Sequence, residues 1–386
     1  MATAAAPELD RARLTSVAAG ALGQAVDAVA HWTVAPLGYT VFNPVSQGIF
    51  RVTGTARSGA TSLPWSAVLK ICRAPSEEEL AQAPPDRREV LVDTLRWDRE
   101  GEAYASGLLD TLPSGLGAPR CFGVDRRDDG TLWIWLEHIA DDVVQWDVAR
   151  YALAARHLGR LGGEYLAGRE LPTNEWLSRG WVRKWSAYFS RTVPAILDDD
   201  GIWAQPTVLQ LFDPASRDDI RALWRDRERW WRALDGLPLT FGHLDAFRAN
   251  LMGRTVGGDV QTVALDWAFV GIAPLAADVA TLVVASLFYH GDPLDPAEVT
   301  AASLEATRDG LRDAGYRVSP PELERAYAIN VIARWALPIG PLRAAGDPVR
   351  EEKMAQLLRR PYTEIVRLIA DRTRYVSALS RAVALD

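Results

Sequence analysis

The sequence is poor in cysteine and contains no long uninterrupted apolar segment. Cys72 and Cys121 are the two cysteines among 386 residues, and neither shows the spacing of a metal-binding motif. We therefore expect reduced thiols in a cytoplasmic protein. Residues 273–288 form the most apolar stretch, but Asp278 interrupts it. The first residues, MATAAAPELDRARL, lack the basic start and apolar core of a secretion signal, so we expect neither a signal peptide nor a membrane span.

An excess of positive charge is also absent. The formal net charge is -7 at pH 7, which argues against nucleic acid as a partner, because proteins that bind its phosphates normally carry a basic face. A cationic substrate is compatible with this charge. The hydrophobic fraction of 48% and the charged fraction of 24% are typical of a soluble globular protein. A length of 386 residues exceeds one ordinary core and predicts two domains or one two-lobed unit.

Lysine is scarce as well. Lys70, Lys184 and Lys353 are the three lysines among 43 basic residues. Lys70 lies in the apolar, strand-like run WSAVLKI. A compact ammonium group in this position can act as a point charge on the α- and β-phosphates of a nucleotide, where a guanidinium would be too wide. The alternative is an edge-strand lysine that protects against aggregation.

A buried lysine requires an anionic partner in the free protein. The helix predicted over residues 94–109 supplies two candidates, Glu100 and Glu102. Glu100 is favoured because it lies three residues from Trp97, on the helix face that would contact the sheet together with Tyr104. Glu102 would point elsewhere.

The most specific pattern lies within residues 240–269. His243, Asp245 and Asn250 form H-x-D-x-x-x-x-N, and Asp266 follows an apolar, strand-like run. The chain has only five histidines and four asparagines, which disfavours a chance match. Asp245 is placed to accept the proton of an attacking hydroxyl group. The alternative is a surface hairpin whose polar side chains satisfy local backbone groups.

A tight hairpin is predicted between Asn250 and Asp266. Strand candidates at residues 251–255 and 260–265 are separated by a Gly-Gly pair, which tolerates the positive φ of such turns. Counting eight residues outward from Gly258 in each direction, we expect Asn250 and Asp266 to face each other at the open end of the hairpin, about 5 Å apart. Their hard oxygen atoms can bind Mg²⁺ alongside nucleotide phosphates.

Two further segments are candidates for nucleotide contacts. The turn formers NPVSQG, which include Ser46, Gln47 and Gly48, can fold over phosphates through backbone N–H groups; an ordinary hairpin turn is the alternative. The segment EHIAD follows the apolar strand LWIWL and is predicted to connect two lobes. An adenine ring can hydrogen-bond the backbone of Glu137 and Ile139 in this segment.

The rest of the sequence is mainly helical, beginning with a helix predicted over residues 11–29. Tryptophans number fifteen, and an aromatic stripe at helical spacing is more often core than binding surface. Some aromatic residues, including those in residues 176–188, would still be available to stack on a sugar or enclose an amine. Asp278 would cap either the backbone of the H-x-D segment or its own helix.

Three segments, VLK, HLDAFRANL and ALDW, resemble the aminoglycoside phosphotransferase and choline kinase family, which shares the protein-kinase-like fold. The resemblance spans residues 33–285. It implies an α+β, bilobal fold. The small N-terminal lobe, residues 1–137, would be built on an antiparallel sheet, and the larger C-terminal lobe, residues 138–386, would be mainly helical.

The resemblance also implies roles for single residues. Asp245 would be the catalytic base, and Asn250 and Asp266 would bind Mg²⁺. Lys70 would hold the α- and β-phosphates of ATP, with Glu100 as its ion-pair partner. The segment SQG would cover the nucleotide, and the histidine of the H-x-D segment would be structural.

The sequence departs from the family pattern at several positions. The loop that would cover the nucleotide lacks repeated glycines, and Trp-Ala follows Asp266 where protein kinases have Phe-Gly. This second departure argues against a mobile regulatory switch of their type. Ala246 and Phe247 replace more polar residues, and Arg248 follows them. We hypothesise that Arg248 helps to neutralise charge on the phosphoryl group during transfer.

These features predict a kinase that transfers the γ-phosphoryl of ATP to a hydroxyl group of a small polar acceptor, aminoglycoside-like or an amino-sugar. One alternative is a kinase of a sugar or amino alcohol in primary metabolism. Others are a catalytically inactive nucleotide-binding relative and a carbohydrate-binding protein in which the motif is incidental. GTP as the donor stays open. The expected partner is a small-molecule acceptor, with neither nucleic acid nor membrane, and the sequence gives no indication of oligomeric state.

Overall fold

The residues described by the computed structural model, 6–37, 45–143 and 145–383, form both strands and helices. Their strands, β1 to β11 in chain order, are Ala28–Pro36, Ser46–Ser58, Thr61–Arg73, Leu116–Gly117, Cys121–Arg126, Thr131–Glu137, Ser178–Arg179, Leu239–Gly242, Leu251–Val256, Asp259–Ala264 and Gly271–Pro274. Their α-helices, α1 to α15, are Arg11–Leu22, Glu77–Gln82, Pro85–Glu89, Arg99–Ala105, Val148–Leu166, Trp181–Ser190, Val193–Leu197, Asp200–Trp203, Pro206–Leu211, Ser216–Asp235, Ala277–Phe288, Pro296–Asp313, Pro320–Trp335, Pro348–Leu358 and Tyr362–Ala382.

Two units divide the chain. The first comprises Met1–Val144, Asn174–Leu177 and Asn250–Val270, and the second comprises Gln145–Thr173, Ser178–Ala249 and Gly271–Asp386. The boundary predicted after residue 137 gives two continuous segments instead, and it places residues 250–270 in the C-terminal lobe. The functional division into these two lobes stays a prediction.

The first unit is built on a five-stranded antiparallel sheet in the order β1-β2-β3-β6-β5. This confirms the predicted antiparallel sheet of the N-terminal part and, with the helices that follow, the α+β class. Side chains alternate between the two faces of a sheet. Leu69 and Ile71 of β3 share a buried cluster with Leu14 and Val17 of α1. Lys70 stands between them in sequence and therefore points to the opposite face.

The opposite face of this sheet packs against α4 and the residues before it. Cys72 and Leu132 belong to a buried cluster there, and Trp97 and Tyr104 pack against that cluster, as predicted. Gly101 allows the close approach, because a Cβ on it would lie 2.6 Å from the Leu132 side chain. The helix is thereby pressed against the face that carries the lysine of β3.

Several predicted boundaries differ from the structure. The helix expected over residues 11–29 ends at Leu22, because Gly23 caps it with a φ of 67° and β1 begins at Ala28. The helix expected over residues 94–109 shortens to α4, with a π-helical turn before it and a 3-10 turn after it. Strand β5 was not predicted from the sequence.

The β9–β10 hairpin confirms the predicted Gly-Gly turn. Gly257 and Gly258 have φ values of 61° and 95°, which residues with a Cβ rarely adopt. Val256 pairs with Asp259 directly across this turn. The turn is therefore of the tight kind that sets the register of the whole hairpin.

The register differs by one residue from the predicted pairing of Asn250 with Asp266. Leu251 pairs with Ala264, and the Leu265 N–H donates to the Asn250 carbonyl at 2.8 Å. Asp266 lies one residue further, where its φ of 57° turns the chain out of the strand. The expectation that Asn250 and Asp266 are cross-strand partners is therefore wrong, although both residues lie at the open end of the same hairpin.

The second unit is mainly helical and contains a small sheet in the order β7-β11-β8. Helices α5 and α12 approach closely because glycines line their contact. A Cβ on Gly159 would lie 2.6 Å from the Thr307 carbonyl oxygen, and one on Gly310 would lie 2.1 Å from the Arg156 carbonyl oxygen. Within the described residues, no helix is both long enough and apolar enough to cross a membrane.

The α5–α12 contact gives a stability prediction. Gly310→Ala is expected to destabilise the protein by about 1–3 kcal/mol, because the added methyl group meets backbone that cannot rotate away. The matched control is Gly236→Ala, where the nearest atom lies 3.5 Å from the new Cβ and φ is -84°. Its effect should stay within about 0.5 kcal/mol. Denaturant unfolding measures both, and equal midpoints for the two variants would contradict the prediction.

Candidate active site

Lys70 lies on a central strand of the sheet in the first unit, and its ammonium group lies between two carboxylates. It forms ion pairs with Glu100 of α4 and with Asp266, and its Nζ lies 2.7 Å from Asp266 Oδ1. The Lys70 side chain is 9% exposed and that of Glu100 is 2% exposed. Because Lys70 pairs with Ile49 of β2 on one side and Ile134 of β6 on the other, β3 is a central strand. The edge-strand alternative is therefore excluded.

Electrostatics keeps the Lys70 ammonium group charged. Burial disfavours its charged form, but the carboxylates of Asp266 and Glu100 outweigh this effect and hold the pKa of Lys70 well above its usual value. Cys72 lies two residues further along the strand, where burial raises the pKa of its thiol to about 12. Cys72 is therefore a neutral side chain beside the ion pairs, without the reactivity of a thiolate.

Glu100 is the partner of Lys70, as helix geometry predicted. The Glu100 carboxylate is buried, and Lys70 is the cation beside it. Glu102 forms its ion pair with Arg126 instead. Of the two glutamates of α4, Glu100 therefore forms the buried ion pair with Lys70, and Glu102 forms an ion pair near the surface.

Arg99 is a structural residue of this group that sequence reasoning missed. Its buried guanidinium donates to the carbonyls of Asp93 at 2.7 Å, Thr94 at 3.0 Å, Trp176 at 2.8 Å and Ala268 at 2.9 Å. Burial lowers the pKa of Arg99 to about 10, which leaves it charged at neutral pH. Arg99 therefore links the start of α4 to the backbone that follows Asp266.

Asn250 and Asp266 fit a divalent cation through the chemistry of their donor atoms. Asn250 is buried, and the Asp266 side chain is 23% exposed. Amide and carboxylate oxygens are ligands that Mg²⁺ prefers. The described residues hold no group of three or more His, Cys, Asp or Glu able to bind a metal alone. A cation at Asn250 and Asp266 would therefore take its other ligands from phosphate oxygens and water.

The residues expected to cover the nucleotide begin strand β2. Ser46 pairs with Cys72 and Gly48 pairs with Ile71, and an irregularity of the register falls at Gln47. The preceding part of the predicted loop, residues 43–44, lies outside the described residues. Ser46 to Gly48 are therefore strand residues at the end of the hairpin that carries Lys70, and their contact with phosphates stays a prediction.

The predicted adenine-binding segment follows strand β6. The Glu137 N–H donates to the Arg120 carbonyl at 2.8 Å, so the expected contact of adenine with Glu137 would use its carbonyl group. The Glu137 carboxylate pairs with Arg254 at 2.8 Å and with Arg120 at 3.4 Å. Ile139 is buried. Adenine contacts at Glu137 and Ile139 stay predictions.

The second unit holds the H-x-D segment up to Asp245. His243 is fully buried, and its Nδ1 accepts the Asp245 N–H at 3.2 Å, which gives it the structural position predicted. Asp278 of α11 accepts the N–H groups of His243 at 3.0 Å and Leu244 at 2.7 Å. Burial is the main cause of the raised pKa of Asp278. Of the two roles predicted for Asp278, capping of this segment is the one observed.

Arg334 of α13 reaches the same segment and was not predicted from the sequence. Its guanidinium donates to the Leu244 carbonyl at 3.1 Å, to Asp245 Oδ1 at 3.4 Å and to the Thr281 hydroxyl group. Burial lowers the pKa of Arg334, and Asp245 partly offsets this effect. Asp245 therefore lies against a buried cation from a helix about ninety positions later in the chain.

Arg248 is also engaged in the second unit. Its guanidinium pairs with Asp292, whose side chain is 4% exposed, and Asp292 accepts the Tyr151 hydroxyl at 2.5 Å. The Arg248 N–H donates to the Ser286 hydroxyl at 3.1 Å. This network was not predicted. The role of Arg248 at the transferring phosphoryl group stays a prediction.

A cavity of about 550 Å³ lies beside Asp292 in the second unit. Its lining includes the apolar side chain of Leu287 and the charged side chains of Glu364, Arg367 and Asp371. Three carboxylates and one guanidinium thus surround a space large enough for a small polar molecule.

One family of known proteins matches this chain. The sequence profile of the phosphotransferase enzyme family matches residues 50–314, well over half of the chain. A comparison with curated protein sequences finds no match.

Solved structures resemble the chain at low sequence identity. One is an aminoglycoside phosphotransferase from Alicyclobacillus acidocaldarius, with a TM-score of 0.50 and 18% identity over 90% of this chain and 92% of that chain. Another is an ethanolamine kinase from Plasmodium vivax, with a TM-score of 0.48 and 12% identity over 90% of this chain and 83% of that chain. A third is a microcompartment-associated aminopropanol kinase, with a TM-score of 0.47 and 14% identity over 90% of this chain and 94% of that chain.

The first of these likenesses supports the predicted kinase-like fold, and the family match covers the lysine of β3, the H-x-D segment and the hairpin that follows. The chain belongs to the phosphotransferase enzyme family and is an ATP-dependent phosphotransferase that acts on a hydroxyl group.

Proposed function

We propose that the chain transfers the γ-phosphoryl of ATP, with Mg²⁺ as the divalent cation, to a hydroxyl group of a small polar acceptor that is aminoglycoside-like or an amino-sugar. The observation that carries this proposal is the buried ammonium group of Lys70 between Glu100 and Asp266. Packed apolar residues would stabilise a sheet interior as well as, or better than, a buried ion pair. A triphosphate, in contrast, requires a cation at this position.

Each residue has a defined task in this proposal. Lys70 neutralises charge on the α- and β-phosphates, while Asn250 and Asp266 would hold the cation. Bound Mg²⁺ would supply further positive charge to the phosphates. Asp245 orients the acceptor hydroxyl and takes its proton as the new O–P bond forms and the bond from the γ-phosphorus to the bridging oxygen of ADP breaks.

An amine-bearing acceptor is compatible with the net charge of -7. The carboxylates of Asp292, Glu364 and Asp371 line the cavity of about 550 Å³, but they already pair with Arg248, Arg360 and Arg374, so they do not by themselves favour an amine. A sugar or amino alcohol of primary metabolism is the second candidate. A cytoplasmic location without nucleic acid or membrane partners stays a prediction.

The test is an acceptor screen with radiolabelled ATP and Mg²⁺ against pooled aminoglycosides, amino-sugars, sugars and amino alcohols. We expect an acceptor that gains the mass of one phosphate, and Asp245→Asn serves as the blank. ATP binding without turnover on any pool would favour an inactive nucleotide-binding relative. Resistance of an expressing bacterium to an aminoglycoside would separate antibiotic modification from ordinary metabolism.

The proposed role of Arg248 in neutralising the transferring phosphoryl group gives a testable prediction. Arg248→Ala is expected to lower kcat by about 10²-fold if its guanidinium stabilises the phosphoryl group in the transition state. Tyr151→Phe is the matched control, because it removes the other donor to Asp292 and keeps the charge of Arg248. Equal losses in both variants would show that Arg248 acts through Asp292. Unchanged turnover in Arg248→Ala would limit Arg248 to its ion pair with Asp292.

A further inference from the structure

The residue before Asp245 has an uncommon backbone conformation. Leu244 has a φ of 64°, in the left-handed region that residues with a Cβ rarely adopt. Side chains bind both of its backbone groups: its N–H donates to Asp278 Oδ1 at 2.7 Å, and its carbonyl accepts from Arg334 at 3.1 Å. Such a conformation persists only where the surroundings over-determine it. Asp278 and Arg334 therefore stabilise the turn that orients the Asp245 side chain.

Arg334 adds a direct contact with the Asp245 carboxylate, at 3.4 Å. Its side chain is 5% exposed and contacts two indole rings, 4.6 Å from the centroid of Trp181 and 4.4 Å from that of Trp335. A buried planar guanidinium packed against aromatic rings has few alternative orientations. The direction of its N–H groups is therefore fixed before any substrate binds.

We propose that Arg334 is the positioning residue of Asp245: its guanidinium holds both the left-handed turn and the carboxylate in the orientation needed to accept the proton of the acceptor hydroxyl. The proposal rests on the proposed role of Asp245 as that proton acceptor. Arginine suits the task because its fork of N–H donors reaches a carbonyl and a carboxylate at once. Phosphoryl transfer depends mainly on positioning and electrostatics, so the loss of Arg334 acts on kcat rather than on nucleotide binding.

The charge of Arg334 has a separate consequence. Groups in contact with the Asp245 segment include Arg334 from α13, Asp278 from α11 and the neighbouring His243 imidazole. Among these three, Arg334 is the permanent cation. Without it the Asp245 carboxylate is easier to protonate, because a nearby positive charge stabilises the ionised form. The acid limb of the pH profile of kcat then moves to higher pH.

Two variants separate geometry from charge. Arg334→Met keeps an unbranched apolar stem up to the position of Nε and removes the guanidinium, with its charge and its donors. Arg334→Lys keeps the charge but cannot hold both acceptors in the same way. We expect Arg334→Met to lower kcat by about 10²-fold and to move the acid limb upward by about one pH unit. Arg334→Lys should lower kcat without moving the limb. The KM for ATP should change less than threefold in both.

The matched control is Arg372→Met. Arg372 is another buried arginine of the second unit; it donates to the Pro338 carbonyl at 2.6 Å and lies 5.5 Å from the ring centroid of Tyr289. The alternative is that Arg334 only fills its site and donates to a backbone carbonyl, as Arg372 does. In that case Arg334→Met and Arg372→Met would each lose activity in proportion to their loss of stability. We expect Arg372→Met to lower the melting temperature and to leave kcat and the acid limb in place.

Turnover is measured on the full chain with Mg²⁺ and ATP, with the acceptor pools and also with water as the acceptor. Hydrogen exchange of the Leu244 and Asp245 amides gives a readout independent of turnover, and Arg334→Met should accelerate it at least tenfold relative to Arg372→Met. A kcat within threefold of the unmodified protein, or amide exchange equal to that of Arg372→Met, overturns the proposal. If Arg334→Met does not fold, Arg334→Lys decides by the same two measurements. Full turnover in Asp245→Asn would instead overturn the role of Asp245 as the proton acceptor, on which this proposal rests. No turnover of the unmodified protein on any acceptor pool would overturn the proposed function itself.

Discussion

Asp245→Asn is expected to reduce kcat by about 10³-fold, within the range by which a positioned general base accelerates reactions. Asparagine has nearly the shape of aspartate, and its amide oxygen can still accept the hydrogen bond that Arg334 donates to Asp245. It cannot take a proton from the acceptor hydroxyl. The backbone of the segment should stay as it is, because the Asp245 N–H donates to His243 Nδ1 independently of the side chain.

Nucleotide binding should survive this change. The ion pairs of Lys70 with Glu100 and Asp266 involve no atom of Asp245. The dissociation constant for ATP in the presence of Mg²⁺, measured by calorimetry, should therefore stay within about threefold of that of the unmodified protein. Asp235→Asn is the control for loss of a carboxylate in the same unit, because its side chain is 54% exposed and pairs with Arg183. If Asp245→Asn kept more than a tenth of kcat, another group would have to be the base.

Local patterns explain which parts of the site the sequence could predict. The alternation of side chains in a strand places Lys70 on the α4 face of the sheet, and helical spacing places Glu100 beside Trp97 on the facing side of the helix. Two periodicities thus predict the Lys70–Glu100 pair from short segments. The Gly-Gly turn is equally local. Counting from Gly258 instead of from the middle of the pair shifted the expected register by one residue.

Contacts made by distant residues could not be predicted in this way. Arg334 is one of 40 arginines, since the 43 basic residues include three lysines, and nothing in its neighbouring sequence distinguishes it. Its contact with Asp245 depends on how α13 packs in the second unit. Asp292 presents the same difficulty, because its partners Arg248 and Tyr151 come from separate segments. Burial of a charge is a property of the assembled fold, and single-sequence periodicity does not report it.

The short elements were missed for a different reason. Strand β5 contains Gly123 with a φ of 146° and ends in charged residues, so it lacks the apolar alternation that identifies a half-buried strand. Helix α1 was extended too far because Val26 and Val29 continue its apolar spacing beyond Gly23. Val29 belongs to β1 and packs in the same buried cluster as α1, so its apolar character reflects tertiary burial and not helical periodicity.

Lys70→Met is expected to abolish measurable ATP binding and to destabilise the protein by about 3–5 kcal/mol, the usual cost of removing one partner from a buried ion pair. The Glu100 side chain is 2% exposed, so without Lys70 its charge has neither a cation nor water beside it. The Asp266 side chain is 23% exposed, so water can solvate its charge, and the loss of Lys70 is expected to destabilise Asp266 less than Glu100. Denaturant unfolding measures the stability loss, and calorimetry with ATP and Mg²⁺ measures the binding loss.

The double variant Lys70→Met/Glu100→Gln separates the two roles of the lysine. Replacing Glu100 by glutamine removes the uncompensated charge, so most of the lost stability should return. ATP binding should not return, because the phosphates still lack the ammonium group. Lys70→Arg tests the shape requirement in the same assay: it preserves the charge, but its wider head group is expected to bind ATP at least tenfold more weakly. A double variant that bound ATP like the unmodified protein would show that Lys70 supports the fold alone, and the phosphate-binding role would have to be assigned to another cation.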